Sequence, residues 1–170
     1  MLRDWKYLHS RHGRIRASVL TLVAVLLAVP TDADSPEAAV FAQLDRTQRA
    51  VDSLQARLGL AGQVVAELVP RHPLIVAVSP CRESQGTFRL KLEAGFVGGL
   101  TDEELDAVVA HELGHVWIFR HHPYLQTEQL ANQVAMRVVT REALNRVYDK
   151  VESRGGKKAV VARFSDRRRH

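Results

Sequence analysis

Cysteine is almost absent: Cys81 is the single one in 170 residues. No disulfide can close within the chain, and a cysteine-built zinc site is excluded. Any metal must therefore be held by His, Asp or Glu. Long apolar runs are missing too. The main one, Ala17 to Val29, has 13 residues, against the ~20 that a helix needs to span a bilayer. No Arg-Arg pair precedes it, which argues against a twin-arginine signal, and Cys81 lies too far downstream for lipoprotein processing. No internal repeat or low-complexity tract is found. The length suits one domain, and an apolar fraction of 46% lets it build a core without staples.

The basic pI of about 9.8 misrepresents the body of the chain. Residues 34–153 hold 12 of the 24 Lys and Arg but 16 of the 19 Asp and Glu, a net charge of −4. The basicity lies in residues 1–33 and 154–170, and no nucleic-acid partner is expected. A polymer-binding role would explain the tail, Arg154 to His170, and leave the rest of the chain unexplained; a solvated flexible tail is the simpler reading.

The start resembles an export signal. Arg3, Lys6, Arg11, Arg14 and Arg16 form a long positive region before the apolar run, and Pro30 and the small Ala33 follow it. This layout implies cleavage after Ala33, with Thr31 at position −3. Residues 1–33 are thus read as a signal peptide or N-terminal membrane anchor, 34–153 as the folded domain and 154–170 as the tail. The protein is expected to be exported, periplasmic or secreted; left uncleaved and slightly stretched, residues 17–29 associate it with the membrane instead.

The folded part reads as α+β. Ser35-Pro36 is a helix start, and Val40, Leu44, Thr47, Val51, Leu54 and Leu58 then recur at spacings of three and four until Gly59, predicting a helix over 36–58. Gln63–Val69, Leu74–Ser79 and Thr87–Glu93 are short runs rich in β-branched or apolar residues, parted by Pro70, Pro73, Pro80 and Gly86, and predict a small three-stranded sheet. Phe88, Leu90 and Leu92 alternate with Arg89, Lys91 and Glu93, as in a strand with one wet face. After Gly98-Gly99, Thr101 and Glu104 form a capping box for a helix over 102–119 whose stripe is Leu105, Val108, Val109, Leu113 and Val116. One last helix is predicted from Pro123 or Thr127 to Gly155-Gly156, with Leu130, Val134, Val138, Leu144, Val147 and Val151 on its buried face.

The middle helix carries His111-Glu112-Leu113-Gly114-His115. Residues four apart lie one turn above each other, so His111 and His115 can aim both imidazoles at one zinc ion. Glu112 lies beside them, where a carboxylate can take a proton from water at the metal without binding the metal. Gly114 leaves room for a neighbouring backbone between the two ligands. A catalytic site needs a third protein ligand, and two residues compete for it. His121 has the spacing of an elongated metzincin motif, but the midway position that must turn the chain back is Ile118, a poor residue for positive φ. Glu128 opens the next helix, with Asn132 one turn on to orient a ligand by hydrogen bonding, and is preferred.

Together, His111-Glu112-Leu113-Gly114-His115, Glu128-Gln129-Leu130-Ala131-Asn132 and the lead-in Leu100-Thr101-Asp102-Glu103-Glu104-Leu105 resemble the gluzincins, especially minimal prenyl-protease-type peptidases, the minigluzincins. ImmA-type regulatory proteases share a similar Glu-x-x-Ala-Asn helix. The resemblance covers about residues 60–140 and implies a sheet whose edge strand receives an extended peptide, two helices holding zinc, and endopeptidase chemistry. The prenyl-protease-type pattern usually ends in Asp where this chain has Asn132, which makes that interaction a neutral one. The spacing from His115 to Glu128 is short, and the extra membrane segments of larger members are absent.

The expected protein is a zinc metalloendopeptidase of the cell envelope. One Zn2+ per chain is held by His111, His115 and Glu128, Glu112 is the general base, and a peptide or protein is the substrate. Thr87–Glu93 is expected to be the receiving edge, and Tyr124, Tyr148, His122 and Arg141 are candidate donors to the developing oxyanion. The alternative is a zinc-binding scaffold without turnover, against which stands the intact Glu112. N-terminal sequencing of the mature protein tests the export reading: the first residue should lie near Asp34, and recovery of the intact chain from the cytosol would defeat it.

Overall fold

The computed structural model describes residues 35–154. The segment expected as signal or anchor, with its cleavage point, lies outside them, as does the expected tail beyond Arg154.

Helix α1 (Pro36–Arg57) begins where Ser35 accepts a hydrogen bond from Ala38 N–H at 3.1 Å and Pro36 takes the first helical position. It ends at Gly59, whose φ of 64° turns the chain back, a conformation that costs glycine little. Thr47, Val51 and Leu54 are buried, whereas Val40 is largely exposed, so the expected stripe packs only from Leu44 onward.

Strands β1 (Gln63–Val69), β2 (Val76–Pro80) and β3 (Thr87–Glu93) form one sheet in the order β1-β3-β2, with β1 parallel and β2 antiparallel to β3. Phe88, Leu90 and Leu92 are buried. On the opposite face Arg89 and Lys91 reach Glu67 at 3.5 and 4.0 Å. The alternation therefore holds, but the expected edge does not: Thr87–Glu93 is the central strand. Alternation reports which face is wet and carries no information on whether a neighbour lies alongside.

The two true edges differ. Gln48 of α1 seals β1, its Oε1 accepting from Ala66 N–H at 2.8 Å and its Nε2 donating to Val64 O at 3.0 Å. A side-chain amide thus stands in for a neighbouring strand. On β2, Cys81 N–H donates to Thr87 O and Glu93 N–H to Ile75 O. Odd-numbered residues of β2 therefore pair with β3, and Val76, Val78 and Pro80 turn their peptide groups to the open side. Pro80, without an N–H, suits that side.

A single turn, α2 (Ala94–Val97), follows β3 and buries Phe96 and Val97; the sequence reading did not anticipate it. Helix α3 (Asp102–His121) has the expected capping box, with Glu104 N–H donating to Thr101 Oγ1 and Thr101 N–H to Glu104 Oε2. It packs against α1, β2, α4 and α5. The expected last helix is in fact two, α4 (Glu128–Ala135) and α5 (Arg141–Ser153). The run stops at Ala135, and Thr140 starts it again as the N-cap of α5, with extended backbone angles and accepting from Ala143 N–H at 3.2 Å. Both helices continue one apolar stripe, so only the six-residue step from Val138 to Leu144 betrayed the break. Among the described residues no helix is long and apolar enough to cross a membrane.

Replacing Gln48 by Ala should cost about 1–3 kcal/mol, the net worth of two hydrogen bonds to backbone that then lacks protein partners. Urea denaturation measures this; an unchanged midpoint would show that water replaces the amide without loss.

Candidate metal centre

Helix α4 crosses α3 backbone against backbone. A Cβ added to Gly114 would stand 2.5 Å from Ala131 O and 3.0 Å from Ala131 Cα, closer than any side chain allows. The crossing brings the first residue of α4, Glu128, over the histidines of α3. Glu128 Oε2 lies 3.0 Å from His111 Nε2, and Oε1 lies 3.4 Å from His115 Nε2. The two imidazoles stand nearly perpendicular, with centroids 4.9 Å apart. One ligand atom from each of the three residues lies within 4.8 Å of the others.

This donor set fits zinc. Ligands at ~2.0–2.1 Å around a tetrahedral ion lie roughly 3.3–3.4 Å apart, close to the separations of Glu128 from the two histidines. Both histidines are also held by their other nitrogen, as zinc-binding histidines usually are. His111 Nδ1 donates to Asn132 Oδ1 at 2.8 Å, and His115 Nδ1 to Gln126 Oε1 at 3.2 Å. Each bond fixes the tautomer that leaves an Nε2 lone pair for a metal.

Asn132 is fully buried, and its Oδ1 also accepts from the Tyr148 hydroxyl of α5. Its Nδ2 is buried without a hydrogen-bond partner. Gln126 grips His115 twice, since its Nε2 donates to His115 O at 3.3 Å. Neither Gln126 nor the contact of Tyr148 was foreseen. A loop residue between two helices belongs to no periodic pattern, and the role of Tyr148 depends on α5 folding back across α3.

Charge in the site is strongly shaped by its surroundings. Burial raises the Glu112 pKa, against the pull of His111 and His115 and a backbone hydrogen bond from Val78. The adjoining imidazoles, His111 first and then His115, hold Glu128 well below the usual carboxylate range. On His115 burial disfavours the charge, yet the hydrogen bond to Glu128 and the nearby carboxylates outweigh it and raise the pKa. Burial raises the Tyr148 pKa as well, so its hydroxyl stays a donor.

The remaining candidates lie elsewhere. His121 stacks on Trp117, its Nδ1 donating to Trp117 O at 2.8 Å, and does not join the metal group. Tyr124 is 98% exposed. His122, Tyr124, Arg141 and Tyr148 do not line the cleft beside the metal group; Tyr148 stands behind His111, on its Nδ1 side. That cleft, of about 370 Å³, runs between β2 and α3.

The model of peptidase family M48 matches residues 42–167, while no curated protein and no solved structure matches. The matched span takes in most of the chain, from within α1 to beyond α5. The chain belongs to this family, a group of zinc metallopeptidases.

Gly114→Ala and Gln126→Ala should loosen the centre in different ways. In an unobstructed helix the first change is favourable by up to ~1 kcal/mol. Here it should push α4 away, lowering both zinc affinity and Tm. Gln126→Ala should keep Tm within a few degrees and weaken zinc by about 10–100-fold. Chelator competition and thermal melts separate the two; zinc affinity unchanged in both variants would contradict the geometry.

Proposed function

We propose that this M48 peptidase is an endopeptidase in which Glu112 is the general base and His111, His115 and Glu128 hold the zinc. When bound, zinc supplies a Lewis acid that polarises the scissile carbonyl and acidifies water. Glu112 takes a proton from the attacking water on a carboxylate oxygen and passes it to the departing amine, as the new C–O bond replaces the C–N bond. The observation that carries this reading is the state of Glu112. It is only 9% exposed, it stands beside both histidines, and burial raises its pKa. A scaffold has no use for a buried, destabilised carboxylate next to its ligands.

The substrate is read as an extended peptide that adds to β2, the strand whose outer side is open, rather than to β3. Val78 supports this, because it belongs to that open side and its backbone touches Glu112. Main-chain pairing there would hold a peptide bond beside the base. We place the work outside the cytoplasm, on the export-like sequence of residues 1–33.

Glu112→Gln should retain zinc and the melting temperature while losing peptidase activity by about 10²–10⁴-fold. Glutamine keeps the shape and hydrogen bonding of the side chain and removes its basicity. Generic peptides can miss a narrow specificity, so complementation in the producing organism is the stricter assay. Full restoration of the phenotype by Glu112→Gln, where His111→Ala fails, would leave only a zinc-binding role.

A further inference from the structure

The polar end of the cleft is accounted for by the metal group, Glu112 and Gln126; its other end is not. One turn beyond Glu112 and His115, the same face of α3 continues as Val116 and Phe119. Both line the cleft, together with Phe88 of β3 and Pro80 of β2. Phe88 and Phe119 meet edge to face with centroids 5.5 Å apart, and Pro80 lies opposite Phe88 in the sheet register. Val116 and Phe88 are buried and form a floor, while Phe119, 46% exposed, stands at the rim. The ionisable residues that line the cleft, His111, Glu112, His115 and Glu128, are all at the metal end.

The direction of a bound peptide follows from the same contacts. Val78 is beside Glu112, and Pro80, through Phe88, is beside Phe119. Strand β2 and helix α3 therefore run the same way along the cleft. A peptide that pairs antiparallel with β2, the slightly more stable arrangement, runs the opposite way. Its residues above Phe119 come earlier in its chain than those above Glu112. We propose that Phe88, Val116 and Phe119 form a specificity pocket for a bulky aliphatic or aromatic side chain on the amino-terminal side of the scissile bond. This rests on the reading of Glu112 as the base.

The test is to incubate the zinc-loaded full chain with a mixed peptide library and read the cut sites by mass spectrometry. Leu, Ile, Met or Phe should dominate the two positions before the cut, and Phe119→Lys should shift those positions towards Asp and Glu with zinc content unchanged. Cuts without such a preference, or with the preference after the cut, overturn the pocket and leave hydrolysis standing. A chain that holds zinc, cuts nothing in the library and still complements fully as Glu112→Gln overturns hydrolysis itself.

Binding gives a second readout free of turnover. On the Glu112→Gln chain, fluorescence anisotropy should show leucine-rich peptides binding at least about tenfold more tightly than alanine-substituted ones, as a filled apolar pocket provides. Phe119→Ala in that background should narrow the gap; equal binding of both peptides by the Glu112→Gln chain removes the pocket whatever the library shows.

Discussion

The centre depends on how closely α4 lies against α3. Packed helices usually keep their axes 8–10 Å apart because side chains fill the space between them. At Gly114 there is none, and the carbonyl oxygen of Ala131 comes within 2.5 Å of where a Cβ would stand. That approach puts the Glu128 carboxylate within 3.0–3.4 Å of two imidazole nitrogens. A glycine in mid-helix weakens α3 by up to ~1 kcal/mol relative to alanine, and α3 is reinforced elsewhere. Its N-terminus has both halves of a capping box, and α5 is tied across it by Lys150–Glu104 at 2.6 Å and Arg146–Glu103 at 2.5 Å. The rigid helix carries His111 and His115, and the short helix packed on it brings Glu128 to them.

Features that sequence shows well are those set by local spacing. His111, Glu112 and His115 fall on one helix, and their spacing alone predicts a shared target. Thr101 with Glu104, and Ser35 with Pro36, mark helix starts through contacts three residues long. Glu128 was reachable because it opens the next helix within a short loop of His115. What stayed hidden depends on pairing across the fold. Strand order decides that β3 is central, and no face pattern encodes it. The break between Ala135 and Thr140 lies inside one continuing apolar stripe. Gln126 reaches His115 only because the loop before α4 folds against α3, and Tyr148 meets Asn132 only because α5 returns across it.

Asn132 shows how the charges of the centre are balanced. The pattern this chain resembles usually has Asp here, which would bury a further negative charge near Glu112 and Glu128. Asn132 offers His111 a neutral acceptor, and the Tyr148 hydroxyl donates to the same oxygen. The arrangement has a cost. Asn132 Nδ2 is buried with no partner, and an orphaned buried donor of this kind destabilises by about 1–3 kcal/mol. In return, the desolvated Glu112 is spared another like charge, which would raise its pKa further.

The open edge of the sheet is short, and its chemistry limits what main-chain pairing can do. Gln48 closes β1, so β2 is left for pairing, and β2 has five residues. Of the residues turned outward, Pro80 has no N–H to give, and the Val76 N–H is turned back to Leu74 O at 2.6 Å. The Val78 N–H already donates to the Glu112 carboxylate, so the edge offers mainly carbonyl acceptors. Two hydrogen bonds contribute about 1–3 kcal/mol net, while ordering even one or two residues of a flexible peptide costs a similar amount. Backbone pairing can therefore align a substrate but cannot retain it. A short edge of this kind also resists indiscriminate strand pairing with other chains. On the proposed reading, retention comes from apolar burial further along the cleft, where the wall of Val116, Phe119 and Phe88 stands beside the edge strand.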